Sequence, residues 1–239
     1  MKNPVSGKLY LVVSCVIFII GMTLPLPVQG GTTTRVSVAS DGTQGTACSA
    51  GRSSISADGR YVAFSSECAN LVSDDTNGKW DVFVHDRQTG ETTRVSLAST
   101  GAQGDGNSSG SPSISADGRY VAFVSSAGNL VSDDKNGQWD VFVHDRQSGE
   151  TTRVSVDSDG AEGNGSSLGQ PSISDDGRYV AFSSDCTNLV TDDTNRQWDI
   201  FVHDRQTGET TLVSVASDGT QGNGDPSDPS IYAEGRCVE

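Results

Sequence analysis

Three acidic loops hold the densest sets of hard oxygen donors in the chain. Asp75, Asn77 and Asp81 lie at alternating positions around Gly78, and the pattern returns as Asp134, Asn136, Asp140 and as Asp193, Asn195, Asp199. Carboxylate and amide oxygens around a glycine turn are what a calcium loop needs, because Ca²⁺ takes roughly six to eight oxygen ligands. The distal bidentate glutamate that closes many such loops is missing, and Arg196 replaces the glycine in the third copy. A plain Asx-rich turn accounts for the same residues, since Asn and Asp side chains cap their own backbone. Both readings stand at this level. Calcium is the one cofactor the sequence raises.

The other reactive side chains offer less. His85, His144 and His203 occupy the same place in each copy. They could converge on a metal only by lining a shared channel, so each is expected to bond polar groups of its own unit. Gly106-Asn107-Ser108-Ser109-Gly110 has the spacing of a nucleophile elbow, but an elbow needs a strand entering and a helix leaving. Here it falls in a polar loop, and the copies at Ala47 and Gly165 lose the pattern. Asp86-Arg87, Asp145-Arg146 and Asp204-Arg205 read as exposed ion pairs, each contributing about 0–1 kcal/mol. No phosphate loop, dinucleotide fingerprint or zinc-protease helix is present. No catalytic residue is assigned, and an enzyme is not expected.

Cysteine use depends on the compartment. Lys2 and Lys8, the apolar run Leu9 to Met22, Pro25 and Pro27, and the small residues before Gly31 form a three-part secretory leader over residues 1–30. An uncleaved anchor is the rival reading, and the two prolines favour cleavage. Export to a periplasmic, cell-envelope or extracellular space permits disulfides. Cys48 and Cys68 lie ten residues either side of Asp58 in a predicted hairpin, so a bridge between them is expected. Cys186 shares the register of Cys68 but faces Ser166, which leaves it free or paired irregularly with Cys237. No CxxC pair suggests cysteine-ligated zinc.

The elements that must position these residues recur every 59 positions: Trp80, Trp139 and Trp198, and likewise Gly59, Gly118 and Gly177. A strict period of this kind is an array of one supersecondary unit. Pro112-Ser113-Ile114-Ser115-Ala116-Asp117-Gly118-Arg119-Tyr120-Val121-Ala122-Phe123 is its best hairpin signal, two β-runs around Asp-Gly. Within the unit, Ser113 to Ser115, Arg119 to Ser125, Trp139 to Asp145 and Thr151 to Val156 read as four short strands. No segment has helical periodicity. The fold class is therefore all-β, a β-propeller of four-stranded antiparallel blades. Full blades are expected at about 53–97, 112–156 and 171–215 within a 31–239 repeat domain, with a lone strand at 32–38 and a partial blade at 229–239. Propellers have roughly four to eight blades, so a truncated relative of a longer protein is expected ahead of an open, self-associating array.

The run Ser-Ala-Asp-Gly-Arg-Tyr-Val-Ala-Phe, followed by Asp-Val-Phe-Val-His-Asp-Arg-Gln-Thr-Gly-Glu-Thr-Thr-Arg-Val-Ser, resembles the TolB-type, WD-like propeller repeat of exported bacterial proteins. The resemblance covers residues 31–239 and implies a binding platform, an assembly scaffold or the accessory propeller of a peptidase. The Trp80-Asp81 dipeptide is not the WD signature, because it opens a strand instead of closing one.

Composition narrows the partners. The chain has 16 Lys+Arg against 31 Asp+Glu, a net charge of −15 spread through every repeat. That disfavours nucleic acid and, beyond the leader, anionic membrane. The expected role is a non-catalytic, exported module binding a protein, peptide or glycan. Its contacts would come through Ala39 to Arg52, Ser99 to Ser111 and Asp157 to Gln170, polar loops that vary between copies. The alternative is the accessory or gating propeller of a peptidase or glycosidase whose catalytic domain lies outside this chain.

Overall fold

The computed structural model describes residues 32–47, 49–224, 226–232 and 237–238. A compact unit begins at Arg35. The leader and Cys48 lie outside the described residues.

Each repeat is organised by its Asp-Gly turn. Ser56 Oγ donates to Asp58 Oδ1 at 2.6 Å, and the same carboxylate oxygen accepts the Arg60 N–H at 2.9 Å. Ser56 Oγ in turn accepts the Tyr61 N–H at 3.0 Å, so the serine and aspartate satisfy the amides the turn would leave free. This joins β1 (Ser49–Ile55) to β2 (Tyr61–Ser66), and β3 (Asp81–Asp86) and β4 (Thr92–Arg94) complete an antiparallel sheet in chain order. The second repeat gives β5 (Ser108–Ile114), β6 (Tyr120–Ser125), β7 (Asp140–Asp145) and β8 (Glu150–Arg153). The third gives β9 (Ser167–Ile173), β10 (Tyr179–Ser184), β11 (Asp199–Asp204) and β12 (Thr210–Leu212). A two-stranded sheet of β13 (Ser230–Ile231) and β14 (Cys237–Val238) follows as the partial blade. Three four-stranded blades and a fraction make this a β-propeller-type array, as the repeat predicts. Among the described residues no helix is long and apolar enough to cross a membrane.

Two expectations need correction. First strands begin earlier than predicted, at Ser49, Ser108 and Ser167, so the second halves of the presumed loops belong to the sheets. A bulge between Ser109 and Ser113 hides the alternation that would have marked them. Residues 32–37 form no strand, and Val38 makes only an isolated bridge to Gln44. Among the described residues no third strand lies beside them to supply a ladder.

The first strands run side by side from blade to blade. The Ile114 N–H donates to Ser54 Oγ at 3.2 Å, Ile173 to Ser113 Oγ at 3.2 Å and Ile231 to Ser172 Oγ at 3.1 Å. The blades stack through unlike faces. Ala63, Val82 and Val84 on one face of the first blade meet Val121, Phe123 and Phe142 of the second. Ala122, Val141 and Val143 of the second meet Val180, Phe182 and Phe201 of the third. Paired phenylalanines lie opposite each other on adjacent strands (Phe64 and Phe83, Phe123 and Phe142, Phe182 and Phe201), with ring centroids 5.9–6.0 Å apart.

Gly118 serves two ends in this stacking. Its φ of 73° suits the turn, and a Cβ there would come within 2.2 Å of the Tyr61 ring on the preceding blade. Gly149 has φ 76° with open space around it. Gly149→Ala should therefore cost only the left-handed backbone penalty, about 1–2 kcal/mol. Gly118→Ala should add about 1–3 kcal/mol of overpacking. Urea unfolding of both variants checks this, and equal losses would refute the interblade role of Gly118.

Candidate functional site

The acidic loops divide into two kinds. In the first, Asn77 Nδ2 donates to Asp81 Oδ2 at 2.9 Å and to the Gly104 carbonyl at 3.1 Å, while Asn77 Oδ1 accepts the Lys79 N–H at 2.9 Å. That is the Asx-rich turn. The carboxylates themselves close on a guanidinium: Arg94 lies 3.3 Å from Asp74, 3.3 Å from Asp75 and 3.7 Å from Asp81. In the second loop Arg153 lies 3.3 Å from Asp133, 3.9 Å from both Asp134 and Asp140, and 2.6 Å from Glu162. Asn136 again bonds Asp140, at 3.2 Å. In these two copies an arginine from the fourth strand lies among the candidate carboxylates. Neither arginine was a candidate from sequence, because Thr-Thr-Arg read simply as a β-branched strand end.

Burial dominates the electrostatics of these loops. It pushes Asp75, Asp81 and Asp140 above the ordinary carboxylate range, and it pushes Asp134 up to about 6, with the Asp140 charge next and Arg153 opposing. Removing the arginine would leave these carboxylates buried and uncompensated. Arg153→Leu should therefore lose about 3–5 kcal/mol of stability at pH 7, measured by denaturant unfolding.

The histidines do not converge, and each pairs within its own blade, as expected. His85 Nδ1 lies 2.9 Å from Thr92 Oγ1, His144 Nδ1 2.9 Å from Thr151 Oγ1 and His203 Nδ1 2.8 Å from Thr210 Oγ1. The threonine hydroxyls donate to main-chain carbonyls beyond their own sheets, Val38, Leu97 and Val156 respectively. Since each hydroxyl spends its proton on a carbonyl, the neutral imidazole must donate from Nδ1. The Asp–Arg pairs differ from expectation. Asp86 binds Arg60 across the hairpin at 2.7 Å, not its neighbour Arg87, and Asp145 and Asp204 bind Arg119 and Arg178 at 2.6 Å. Arg146 instead donates to the Gly118 carbonyl at 2.6 Å and lies 4.4 Å from the Tyr61 ring centroid.

Cys68 and Cys186 are free, buried thiols. Ala127 fills the corresponding position of the second blade, also with no exposure, so these cysteines act there as small packing groups. The Cys68 thiol accepts the Ala47 N–H at 3.1 Å and lies 3.0 Å from the Ala47 carbonyl. The Cys48 half of the expected bridge falls outside the described residues. Ser108 and Ser109 of the elbow-like pentapeptide lie within β5, with no helix following.

Two surface depressions draw on the loops named from sequence. A shallow groove of about 320 Å³ is lined by Trp80, Trp139, Asn107, Ser109 and Gly110. A second, of about 460 Å³, lies beside the third blade between Asp157–Asp159, Asn188–Asp192 and Thr210–Leu212.

No protein-family model matches the chain. No curated protein matches it either. Among solved structures it is similar to a provisionally assigned TolB from Agrobacterium tumefaciens, with 20% identity, 69% of this chain and 48% of that one covered, and a TM-score of 0.45. It is also similar to an oligogalacturonate lyase from Vibrio parahaemolyticus (13% identity, 70% and 40% covered, TM-score 0.44) and to the tricorn protease (12%, 74% and 17%, 0.42). The chain spans less than half the length of each. At these values the likeness assigns no activity.

Acid should act on the blades in two stages. Burial lowers the histidines, His144 and His203 to about 4, with Asp145 and Asp204 opposing and Arg146 and Arg205 reinforcing. A histidine depressed in the fold contributes stability above its unfolded value of 6.5 and loses it as pH falls toward 4. Asp86, Asp145 and Asp204 are held far below the usual range, first by their arginines, so their contribution persists until pH falls below about 4. The protein should lose on the order of 2–3 kcal/mol for each of His144 and His203 between pH 6.5 and 4. His144→Gln should flatten that slope in a pH series of urea unfolding, and an unchanged slope would refute it.

Proposed function

We propose that the chain is a non-catalytic, exported binding module that takes a protein, peptide or glycan along its tryptophan groove. The observation that carries this reading is the pairing of Trp80 and Trp139, one from each of two adjacent blades, around a groove with polar atoms of Asn107 and Ser109 at its wall. Half-buried indoles offer large rigid contact area, and a few polar groups beside them orient a ligand. Ser109 and Gly110 of the groove lie in β5 and each tryptophan directly precedes a third strand, so the walls are tied to the stacked blades. The histidines are engaged with fourth-strand threonines and the Asp–Arg pairs tie neighbouring strands within a blade, which supports a role without chemistry. The row would continue with Trp198, one repeat further on.

Tryptophan emission of the full chain, titrated with soluble cell-wall oligosaccharides and with short peptides, tests the proposal. A saturable change is expected with one of these classes. Trp139→Ala should weaken that ligand about tenfold or more while leaving the fold intact by circular dichroism. Unchanged affinity in Trp139→Ala would sink the groove as the site, and silence across both classes would sink the reading.

A further inference from the structure

The third acidic loop keeps the carboxylates of its sisters and has lost their cation. Asp192, Asp193 and Asp199 stand one repeat beyond Asp133, Asp134 and Asp140, but Leu212 occupies the position of Arg94 and Arg153. Gln221 replaces Glu162. The frame that aims the carboxylates is retained. Ser214 Oγ donates to Asp199 Oδ1 at 2.5 Å, as Ser96 and Ser155 do to Asp81 and Asp140. Gln221 Oε1 accepts the N–H groups of Thr194 and Asn195 at 3.1 and 3.0 Å, fixing the loop.

What differs is the state of the oxygens. Asp199 is 1% exposed, yet among the described residues its Oδ2 has no hydrogen-bond partner, and the Asp193 carboxylate is met only by poorly aligned N–H groups of Asn195 and Arg196. Asn195 Nδ2 bonds only the Gly222 carbonyl, at 3.0 Å, where the first two copies also reach the strand aspartate. In the second copy, carboxylate oxygens of Asp134, Asp140 and Glu162 lie within 4.8 Å of one another and share Arg153; the third copy keeps two of these carboxylates and has Gln221 for the glutamate. Buried carboxylates are stable when paired or when they coordinate a metal.

We propose that the third acidic loop is a binding site for a hard divalent cation, with Ca²⁺ as its probe, held by Asp193 and Asp199 in the place that a guanidinium fills in the other two blades. All the donors are oxygens, which selects a hard cation over a soft one. A bare ion is favoured over an arginine offered by a partner, because Leu212, at the sequence position of the arginine, packs against the core. The 460 Å³ depression beside the loop is lined by Asp192 and Leu212. Water would complete the coordination shell.

The full chain, stripped with chelator and titrated with CaCl₂ by calorimetry, should bind one equivalent. Its melting temperature should rise by about 5 °C or more at a hundredfold excess over Kd. Leu212→Arg, which installs the residue of the sister copies, should melt higher than the parent without calcium and bind none. Asp193→Asn should remain folded and lose at least tenfold in affinity. Absence of binding with an unchanged melting curve overturns the proposal. So does calcium binding that survives in both variants, which would put the ion elsewhere. Protection by free arginine but not by calcium also overturns it, assigning the loop to a guanidinium-bearing partner.

Discussion

A four-stranded blade has two apolar faces and can bury neither alone, so every other feature depends on the contact between one blade and the next. That contact is asymmetric. Alanine and valine line one face, and stacked phenylalanine pairs stand on the other, so a thin wall meets a thick one at each interface. Complementarity of this kind lets a chain with only 6% aromatic residues form well-packed cores. The same rule operates at the edges of the array. Val36 packs on the exposed side of the first phenylalanine pair, and Ile231 packs against Ala181 and Val202 on the third blade.

Polar groups then fix the orientation that apolar packing leaves loose. Each threonine on a fourth strand lies between its own histidine and a carbonyl beyond its sheet, so one side chain joins two structural units. On the hairpin end, Tyr61 lies between Arg60 of its own blade and Arg146 of the next, and Tyr120 between Arg119 and Arg205. Arg146 and Arg205 are buried enough that desolvation lowers their affinity for a proton. Cation–π contact and a turn carbonyl offset that cost. These fastenings consume the residues that at first sight offered chemistry.

Most of the architecture was legible because its signals are local or periodic. Ser-Ala-Asp-Gly-Arg states its own hydrogen bonds, and the 59-residue period assigns every strand once one is known. The first strands were misjudged because their bulges break the alternation on which strand reading relies. Partners far apart in the chain were invisible: Asp86 chooses Arg60 over the adjacent Arg87, and no spacing rule foretells that. The three acidic loops looked alike in sequence, since the residue that separates them lies 13 to 20 positions away on another strand. The difference between Thr-Thr-Arg and Thr-Thr-Leu could have been found by comparing the repeats position by position for losses as well as matches.

In a repeat protein, what the copies share is explained by holding the copies together, and the informative residues are those that break the pattern at a buried place. Arg196 for glycine changes an exposed turn, where a side chain is tolerated at modest strain. Leu212 for arginine is different in kind. It removes a positive charge from among carboxylates that two other blades keep neutralised, while the serine that aims the strand aspartate is retained. A substitution that merely relaxed packing would leave no charge behind. One that removes a charge and keeps its counter-charges creates a demand for a cation, and only a mobile one can meet it without the arginine stem.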